Sequence, residues 1–125
     1  MAQSAGLHEP EDRLTPQVID RHRALASVQE ELEAVDWYDQ RVAATTDKEL
    51  AEILGHNRDE EKEHAMMVLE WLRRHDPVLD QHMRTYLFTN GSIVGEESEA
   101  EGRDGGGAGA GDGSLAIGSL KEARA

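Results

Sequence analysis

The feature that most constrains the fold of this chain is an unbroken helical pattern over residues 17–44, which contain neither glycine nor proline. The stretch has a favourable helix start. Thr15 can cap the first turn, and Pro16 gives up only an amide that has no partner inside a helix. The pattern therefore indicates one long α-helix.

The chain that follows predicts a second long helix and a short third one. Thr46, with Glu49 three residues later, has the spacing of a capping box, so a helix is expected from there to about His75. Pro77 ends this helix and starts a short one over residues 77–88. No segment has a defensible strand pattern. The expected fold class is all-α, a two-helix antiparallel hairpin with a short C-terminal helix.

Charge and composition exclude several functions. The 125 residues include 26 acidic and 13 basic ones, a formal net charge of -13, so neither nucleic acid nor a membrane surface is an expected partner. The absence of cysteine excludes disulfides and thiolate metal sites and fits a cytoplasmic location. The chain contains no apolar run of membrane-spanning length, and its N-terminus lacks the pattern of a secretory signal.

Composition also divides the chain into four segments. Residues 90–113 hold nine of the twelve glycines and six acidic residues, which leaves too little apolar surface to order them, whereas the last dozen residues become apolar again. The predicted segments are a flexible N-terminus (1–14), the helical hairpin with the third helix (15–89), a disordered linker (90–113) and a terminal peptide (114–125).

The apolar stripes predicted for the two long helices carry polar residues. The stripe of the second helix consists of Leu50, Leu54, Asn57, Glu61, His64, Val68, Trp71 and His75. The stripe of the first helix consists of Val18, Leu25, Val28, Leu32, Val35 and Val42, with Glu31 and Tyr38 on its edge. Glu61 and His64 are therefore expected to face inward, where a carboxylate without a partner costs free energy.

Glu31 is expected to meet Glu61 and His64. It precedes the turn at Thr46 by fifteen residues and Glu61 follows the turn by fifteen, so an antiparallel hairpin places both about 22 Å from the turn. One glutamate on one helix and Glu-x-x-His on the next form half of a di-iron site, with ligands that suit iron or manganese. A two-fold dimer of hairpins would form a four-helix bundle and complete the site.

The buried polar residues have a second interpretation. Glu61 and His64 could form a salt-bridge layer, with Arg58 or Lys62 of a partner chain as the counter-charge. Such a layer fixes the register of an oligomer. The alternative function is then a non-catalytic helical cargo or adaptor oligomer.

Other polar residues on the helices leave alternatives open as well. The stripe of Glu30, Glu33 and Trp37 on the first helix is either a solvated edge or a second contact surface whose carboxylates capture cations. Tyr38 is a packing residue, a hydrogen-bond donor or a weak ligand. The histidines interpreted as structural or solvated are His8, His22, His56, His75 and His82.

The stretches "HRALASVQEELEAVDWYDQRV" and "LGHNRDEEKEHAMMVLEWLRR" resemble the encapsulated ferritins, and the resemblance covers roughly residues 15–90. It implies a ferritin-like four-helix bundle of two chains that oxidises Fe(II) to Fe(III) with O2 at a shared di-iron site. The catalytic residues that it implies are Glu31, Glu61 and His64 as iron ligands, with Tyr38 beside them. The remaining metal-site residues that it implies are Glu30 and Glu33 as outer carboxylates and Trp37 as an adjacent residue that is not a ligand.

The terminal stretch "DGSLAIGSLK" resembles the peptides that dock cargo on the inner wall of an encapsulin shell. The shell-binding residues that this resemblance implies are Leu115, Ile117, Gly118 and Leu120. The family resemblance further implies an annular homo-oligomer, usually a pentamer of dimers. That oligomer is expected inside an encapsulin nanocompartment of the cytoplasm, whose shell stores the iron mineral.

Overall fold

The computed structural model describes the backbone of residues 6–106 and the side chains of residues 6–102. In this part of the chain a short 3-10 helix, Glu11–Arg13, precedes α1 (Pro16–Ala44), α2 (Lys48–Arg74), α3 (Pro77–Tyr86) and α4 (Ile93–Gly106). The described residues contain no strand, and the prediction of an all-α fold is confirmed. Among these helices none is long and apolar enough to cross a bilayer.

Local hydrogen bonds set the starts of α1 and α2. Thr15 Oγ1 accepts an amide of the first turn of α1 at 3.2 Å, as predicted. The prediction for α2 was one residue off, because Asp47 rather than Thr46 caps the helix and accepts the Leu50 amide at 2.8 Å. A charged oxygen at the positive end of a helix dipole is a stronger acceptor than a hydroxyl. The turn stays at residues 45–47, so the expected hairpin register is unchanged.

α1 and α2 pack against each other as an antiparallel hairpin, and the buried apolar residues of the described chain are Val28, Ala65 and Leu72. The stripe predicted for α2 was displaced by one residue, since Ala65 and Leu72 are buried while His64 and Trp71 are half-buried. Ala65 and Leu72 each follow a predicted residue by one position, which is a rotation of about 100° around the helix, and α1 alone covers only one side of α2. The buried face of α2 therefore rotates away from the predicted one.

Most of the predicted α1 stripe stays accessible in a single hairpin. Leu25 and Leu32 are each 49% exposed, and Leu50 on α2 is also exposed. Further exposed apolar side chains on α2 are Ile53, Met66 and Met67. Two helices contact each other along one line only, so a lone hairpin leaves apolar surface open to water. This open surface is compatible with the predicted dimerisation into a four-helix bundle.

The chain divides into two compact units, Met1–Leu79 and Asp80–Ala125. The first unit contains the hairpin, and the described part of the second contains the end of α3 and the whole of α4. α3 ends at Tyr86, two residues before the predicted end. Phe88 adopts a φ of 63°, a left-handed conformation that stops a helix.

Helix α4 lies where the sequence predicted a disordered linker. Ser92 Oγ accepts the Gly95 amide at 3.1 Å, which gives the helix its own N-terminal cap. Ile93 and Val94 are 69% and 74% exposed, so α4 forms without burying its apolar residues. The linker prediction weighed burial alone and missed a helix supported by its cap and its backbone hydrogen bonds. Outside the described residues lie 1–5, the rest of the linker (107–113) and the predicted terminal peptide (114–125).

Candidate metal centre

Three of the predicted site residues meet midway along the hairpin. α1 presents Glu31, α2 presents Glu61 and His64, and one ligand atom from each lies within 4.8 Å of the other two. His64 Nδ1 is 3.6 Å from Glu61 Oε1, and all three residues are half-buried. Residues three apart share a helix face, and equal distances from the turn bring Glu31 level with Glu61. We refer to these three residues as the Glu–His cluster.

The negative charge of Glu31 is poorly compensated. Its Oε1 is buried and receives no hydrogen bond from any described residue. The pKa of Glu31 is raised above its ordinary value of 4.5, first because burial removes water from the carboxylate and then because Glu61 is also acidic. His64 opposes this shift and Glu30 adds to it. A bound cation would relieve both the charge repulsion and the unpaired oxygen.

A further carboxylate lies on the other side of the His64 ring. Glu60 Oε1 is 3.8 Å from His64 Nε2, and Glu60 Oε2 is 3.8 Å from His56 Nε2. His64 thus turns Nδ1 toward Glu61 and Nε2 toward Glu60. The sequence interpretation missed Glu60, although its spacing of four residues from both histidines was the available signal.

The other predicted site residues lie on α1, with Glu30 and Glu33 near Glu31 in the sequence and Trp37 and Tyr38 about two turns further along the helix. Among the described acidic residues, neither Glu30, which is exposed, nor Glu33, which is half-buried, belongs to the cluster. Trp37 is exposed, and Tyr38 places its ring centroid 5.5 Å from the Arg41 guanidinium. The roles that the resemblance implies for these residues stay predictions. The shell-binding residues Leu115, Ile117, Gly118 and Leu120 lie outside the described residues.

Aspartates hold the two basic residues that precede and follow Glu61 on α2. Arg58 Nη1 donates to Asp39 Oδ1 at 2.8 Å and Arg58 Nε donates to Asp59 Oδ1 at 3.1 Å, while Lys62 Nζ is 3.5 Å from Asp59 Oδ1. The pKa of Arg58 is raised, chiefly by the hydrogen bond to Asp39 and then by the one to Asp59. Within one described chain, these pairings direct both cations to aspartates rather than to the Glu–His cluster.

The donor atoms of the Glu–His cluster fit a transition-metal ion. Two carboxylates and one imidazole suit iron or manganese, which accept oxygen ligands together with a nitrogen ligand. The unpaired Oε1 of Glu31 supports this fit, because a metal would supply the partner that the described residues do not. Three ligand residues leave coordination positions open for a second chain or for a reactant.

An all-helical hairpin that carries two glutamates and one histidine at its centre has the fold and donor set of the ferritin-like class of proteins. The sequence comparison narrows this class, since residues 6–90 match the family described as EncFtn-like. The match covers more than half of the chain, and the chain therefore belongs to the EncFtn-like family. The resemblance to the encapsulated ferritins is confirmed.

Relatives from three organisms match this chain over 63–97% of its length. The encapsulated ferritin-like protein of Rhodospirillum rubrum is 59% identical over 97% of this chain and 92% of its own length. The ferritin-like protein of Thermotoga maritima is 55% identical over 76% of this chain and 83% of its own length. The encapsulin nanocompartment cargo protein EncC of Myxococcus xanthus is 31% identical over 63% of this chain and 64% of its own length.

A solved structure supports the fold. The crystal structure of a protein from Nitrosomonas europaea is similar to this chain with a TM-score of 0.69 at 58% sequence identity. The similarity covers 71% of this chain and 98% of that chain. The helical hairpin is therefore shared with a relative of high sequence identity.

Proposed function

We propose that this chain is a ferroxidase that oxidises Fe(II) to Fe(III), with O2 as the electron acceptor, at a di-iron site shared between two chains. The observation that carries the proposal is the Glu–His cluster, whose three ligand atoms lie within 4.8 Å of one another while Glu31 Oε1 lacks a hydrogen bond from the described residues. Membership of the EncFtn-like family supports an iron-related activity.

The site needs two chains because one hairpin offers only half of the ligands. A di-iron site of the ferritin-like kind takes a glutamate from each of two helices and a Glu-x-x-His pair from each of two others. A two-fold axis beside the cluster supplies the second set. The exposed Leu25 and Leu32 on α1 support this arrangement, since a partner hairpin would remove them from water.

Each ligand has its own role in the proposed reaction. Glu61 of each chain would bridge the two iron ions. Glu31 and His64 of one chain would together hold one ion, and the same residues of the second chain would hold the other. Two Fe(II) ions are the substrate, and each gives one electron to O2, so that one turnover uses two protons and reduces O2 to the level of hydrogen peroxide. The carboxylates favour the product, because their negative charge offsets the greater charge of Fe(III).

Neighbouring residues on α1 have supporting roles in the proposal. Glu30 and Glu33 gather incoming cations beside the site, in keeping with their positions on the accessible part of the helix. Tyr38 is part of the catalytic group as a hydrogen-bond donor or weak ligand, and Trp37 is adjacent to the site without being a ligand.

The iron product is stored outside the bundle in this proposal. Two of the similar proteins carry names that describe an encapsulated protein and an encapsulin nanocompartment cargo. We infer that the chain is cargo of an encapsulin shell in the cytoplasm, that it assembles as dimers and as a pentamer of dimers, and that the shell holds the mineral. The residues proposed to bind the shell are Leu115, Ile117, Gly118 and Leu120.

Native mass spectrometry of the full-length, metal-free protein tests the proposal, with and without Fe(II) under anaerobic conditions. The expected result is an even-numbered assembly that gains about two iron ions per pair of chains. Glu61→Ala and His64→Ala are expected to abolish this gain. Glu52→Ala is the matched control, because Glu52 is an exposed glutamate on the same helix, about two and a half turns from Glu61.

Admission of O2 to the loaded protein tests the reaction itself, since Fe(III) formation is followed by ultraviolet absorbance. Fast oxidation in the wild type and in Glu52→Ala, together with its loss in the ligand variants, is the expected pattern. An unchanged oligomer that takes up no iron would show that the Glu–His cluster is a structural layer. The ferroxidase proposal would then be abandoned in favour of a non-catalytic cargo oligomer.

A further inference from the structure

Arg58 shares a helix face with Glu61, yet its guanidinium pairs with other carboxylates. The two residues are three apart on α2, a spacing at which acidic and basic side chains commonly pair. In the described chain, both ion pairs of Arg58 are instead made with aspartates, Asp39 at 2.8 Å and Asp59 at 3.1 Å. The Arg58 side chain is only 25% exposed, so its charge is incompletely screened by water.

Gly55 shows which way the Arg58 side chain runs. A Cβ atom placed on Gly55 would lie 3.6 Å from Arg58 Nη2, so the guanidinium lies beside the backbone one turn before Arg58. Glu61 lies one turn after Arg58. At about 1.5 Å per residue, Gly55 and Glu61 are about 9 Å apart along the helix axis. The guanidinium therefore lies on the side of Arg58 away from Glu61.

Asp39, on the other helix, accepts a hydrogen bond from Arg58 and so holds the guanidinium on the side away from Glu61. It is 19 residues from Arg58 in the sequence and lies on α1, nearer to the hairpin turn than Glu31 does. Asp59 is the sequence neighbour of Arg58 and accepts from Nε near the base of the guanidinium, whereas Asp39 accepts from the terminal Nη1. Of these two aspartates, Asp39 is the one that links the end of the Arg58 side chain to the opposite helix.

We propose that Asp39 is a positioning residue that keeps the Arg58 guanidinium away from Glu61 and so leaves that carboxylate available to iron. This inference rests on the proposed function, because Arg58 competes with iron only if Glu61 binds iron. When the charge of Asp39 is removed, Arg58 turns toward Glu61 and pairs with it. Iron and arginine then compete for one carboxylate, and metal binding weakens.

Titration of the full-length, metal-free protein with Co(II), followed by visible absorption, tests the competition. Asp39→Asn keeps the shape of the side chain and removes its charge, and it is expected to weaken Co(II) binding at least about threefold. The double variant Asp39→Asn with Arg58→Gln is expected to restore binding, because the competing cation is gone. The matched control is Asp36→Asn, since Asp36 is an exposed aspartate on α1 that accepts from Gln40 rather than from Arg58.

Two results of the titration would overturn the inference. Equal weakening in the single and double variants would show that Asp39 acts only by holding the two helices together. Unchanged binding in Asp39→Asn would show that Arg58 does not compete for Glu61. Thermal denaturation of each variant shows in parallel whether the hairpin remains folded.

A measurement without metal separates this inference from the proposed function. In a crystal structure of metal-free Asp39→Asn, the Arg58 guanidinium is expected within about 4 Å of a Glu61 oxygen. An Arg58 that stays beside Gly55 in the variant overturns the positioning role of Asp39. If Arg58 moves as expected but the wild type binds neither Co(II) nor Fe(II), the proposed function fails while the control of Arg58 by Asp39 stands.

Discussion

Two charged clusters on the hairpin differ in how the negative charge of a glutamate is compensated. They are the Glu–His cluster and the group of Glu70, Arg73 and Arg74, which we refer to as the Glu70 cluster. Glu70 on α2 accepts from Arg73 Nε and Nη2 at 2.9 and 2.8 Å and from Arg74 Nε at 2.7 Å, and these hydrogen bonds lower its pKa to about 2. Glu31 on α1 has a buried oxygen that no described residue reaches by a hydrogen bond, and its pKa is raised.

The difference shows that compensation, rather than charge, distinguishes a candidate site from a structural cluster. Arginines of the same helix satisfy the Glu70 carboxylate, so the Glu70 cluster has no uncompensated negative charge that would recruit a cation. Glu31 instead faces another carboxylate and a histidine, and the cations nearest to Glu61 on α2 are held by aspartates. The Glu–His cluster is therefore the one in which a bound cation is expected to stabilise the protein.

The largest effect that would test this comparison is the loss of a metal ligand. Glu61→Ala and His64→Ala are expected to weaken Fe(II) binding by about 100-fold or more, because changes to groups that only support a ligand already cost about 10–100-fold. Glu70→Ala should leave the affinity within about twofold, since distant sites act independently. Anaerobic calorimetric titration measures all three variants. A comparable loss in Glu70→Ala would contradict the distinction between the clusters.

The second effect is stabilisation of the folded protein by metal. At a free Fe(II) concentration about 100 times Kd, one binding site raises the free energy of unfolding by about 2.7 kcal/mol. Anaerobic urea denaturation with and without Fe(II) measures this gain. The gain is expected to persist in Glu70→Ala and to vanish in Glu61→Ala. A gain of equal size in Glu61→Ala would place the stabilising metal elsewhere.

The third effect concerns the metal-free protein, in which Glu31 and Glu70 are expected to change the free energy of unfolding with pH in opposite directions. The raised pKa of Glu31 means that its ionisation penalises the folded state, with no penalty below about pH 4.5 and a full penalty above the raised pKa. Glu31→Gln should therefore stabilise the protein at neutral pH and have little effect below about pH 4.5. Urea denaturation over a pH series measures the change.

Glu70 provides the contrasting half of this pH experiment. Its lowered pKa means that its ion pairs stabilise the folded state above about pH 4.5, and this stabilisation is lost as the pH falls toward about 2. Glu70→Gln should therefore destabilise the protein at neutral pH, by an amount that salt reduces because the pairs are accessible to water. Changes of the same sign in Glu31→Gln and Glu70→Gln at neutral pH would refute the comparison.

The smallest expected effect comes from a substitution on α2 that precedes the α2 residues of both clusters and belongs to neither. Gly55→Ala should stabilise the protein by about 0.5–1 kcal/mol, because glycine inside a helix is less favourable than alanine. The added Cβ would meet Arg58 Nη2 at 3.6 Å, an ordinary contact. Thermal denaturation measures the gain, and Co(II) affinity should not change. A loss of stability would show that Arg58 requires the bare backbone at this position.

Much of the hairpin and of its candidate site could be predicted from the sequence. Pro16 and Pro77 mark helix starts because an α-helix accommodates proline readily only in its first turn. The rise per residue of an α-helix is nearly constant, so equal distances from a short turn suffice to bring Glu31 level with Glu61. The three-residue spacing then adds His64 to the same face.

Other features could not be predicted because they depend on how the helices rotate against each other. Ala65 and Leu72 are buried although the heptad pattern favoured their neighbours, since the rotation of α2 against α1 decides which side of the helix is covered. The α4 helix was missed because the prediction considered buried apolar surface and not capping.

The sequence by itself determined α1, α2 and α3, their order and the three residues of the Glu–His cluster, because backbone hydrogen bonding and helix geometry are local and regular. Only the tertiary structure decided the pairing of Asp39 with Arg58 and the unpaired oxygen of Glu31. Both depend on side chains of two helices that are far apart in sequence. Their contacts and their access to water exist only after the helices have packed.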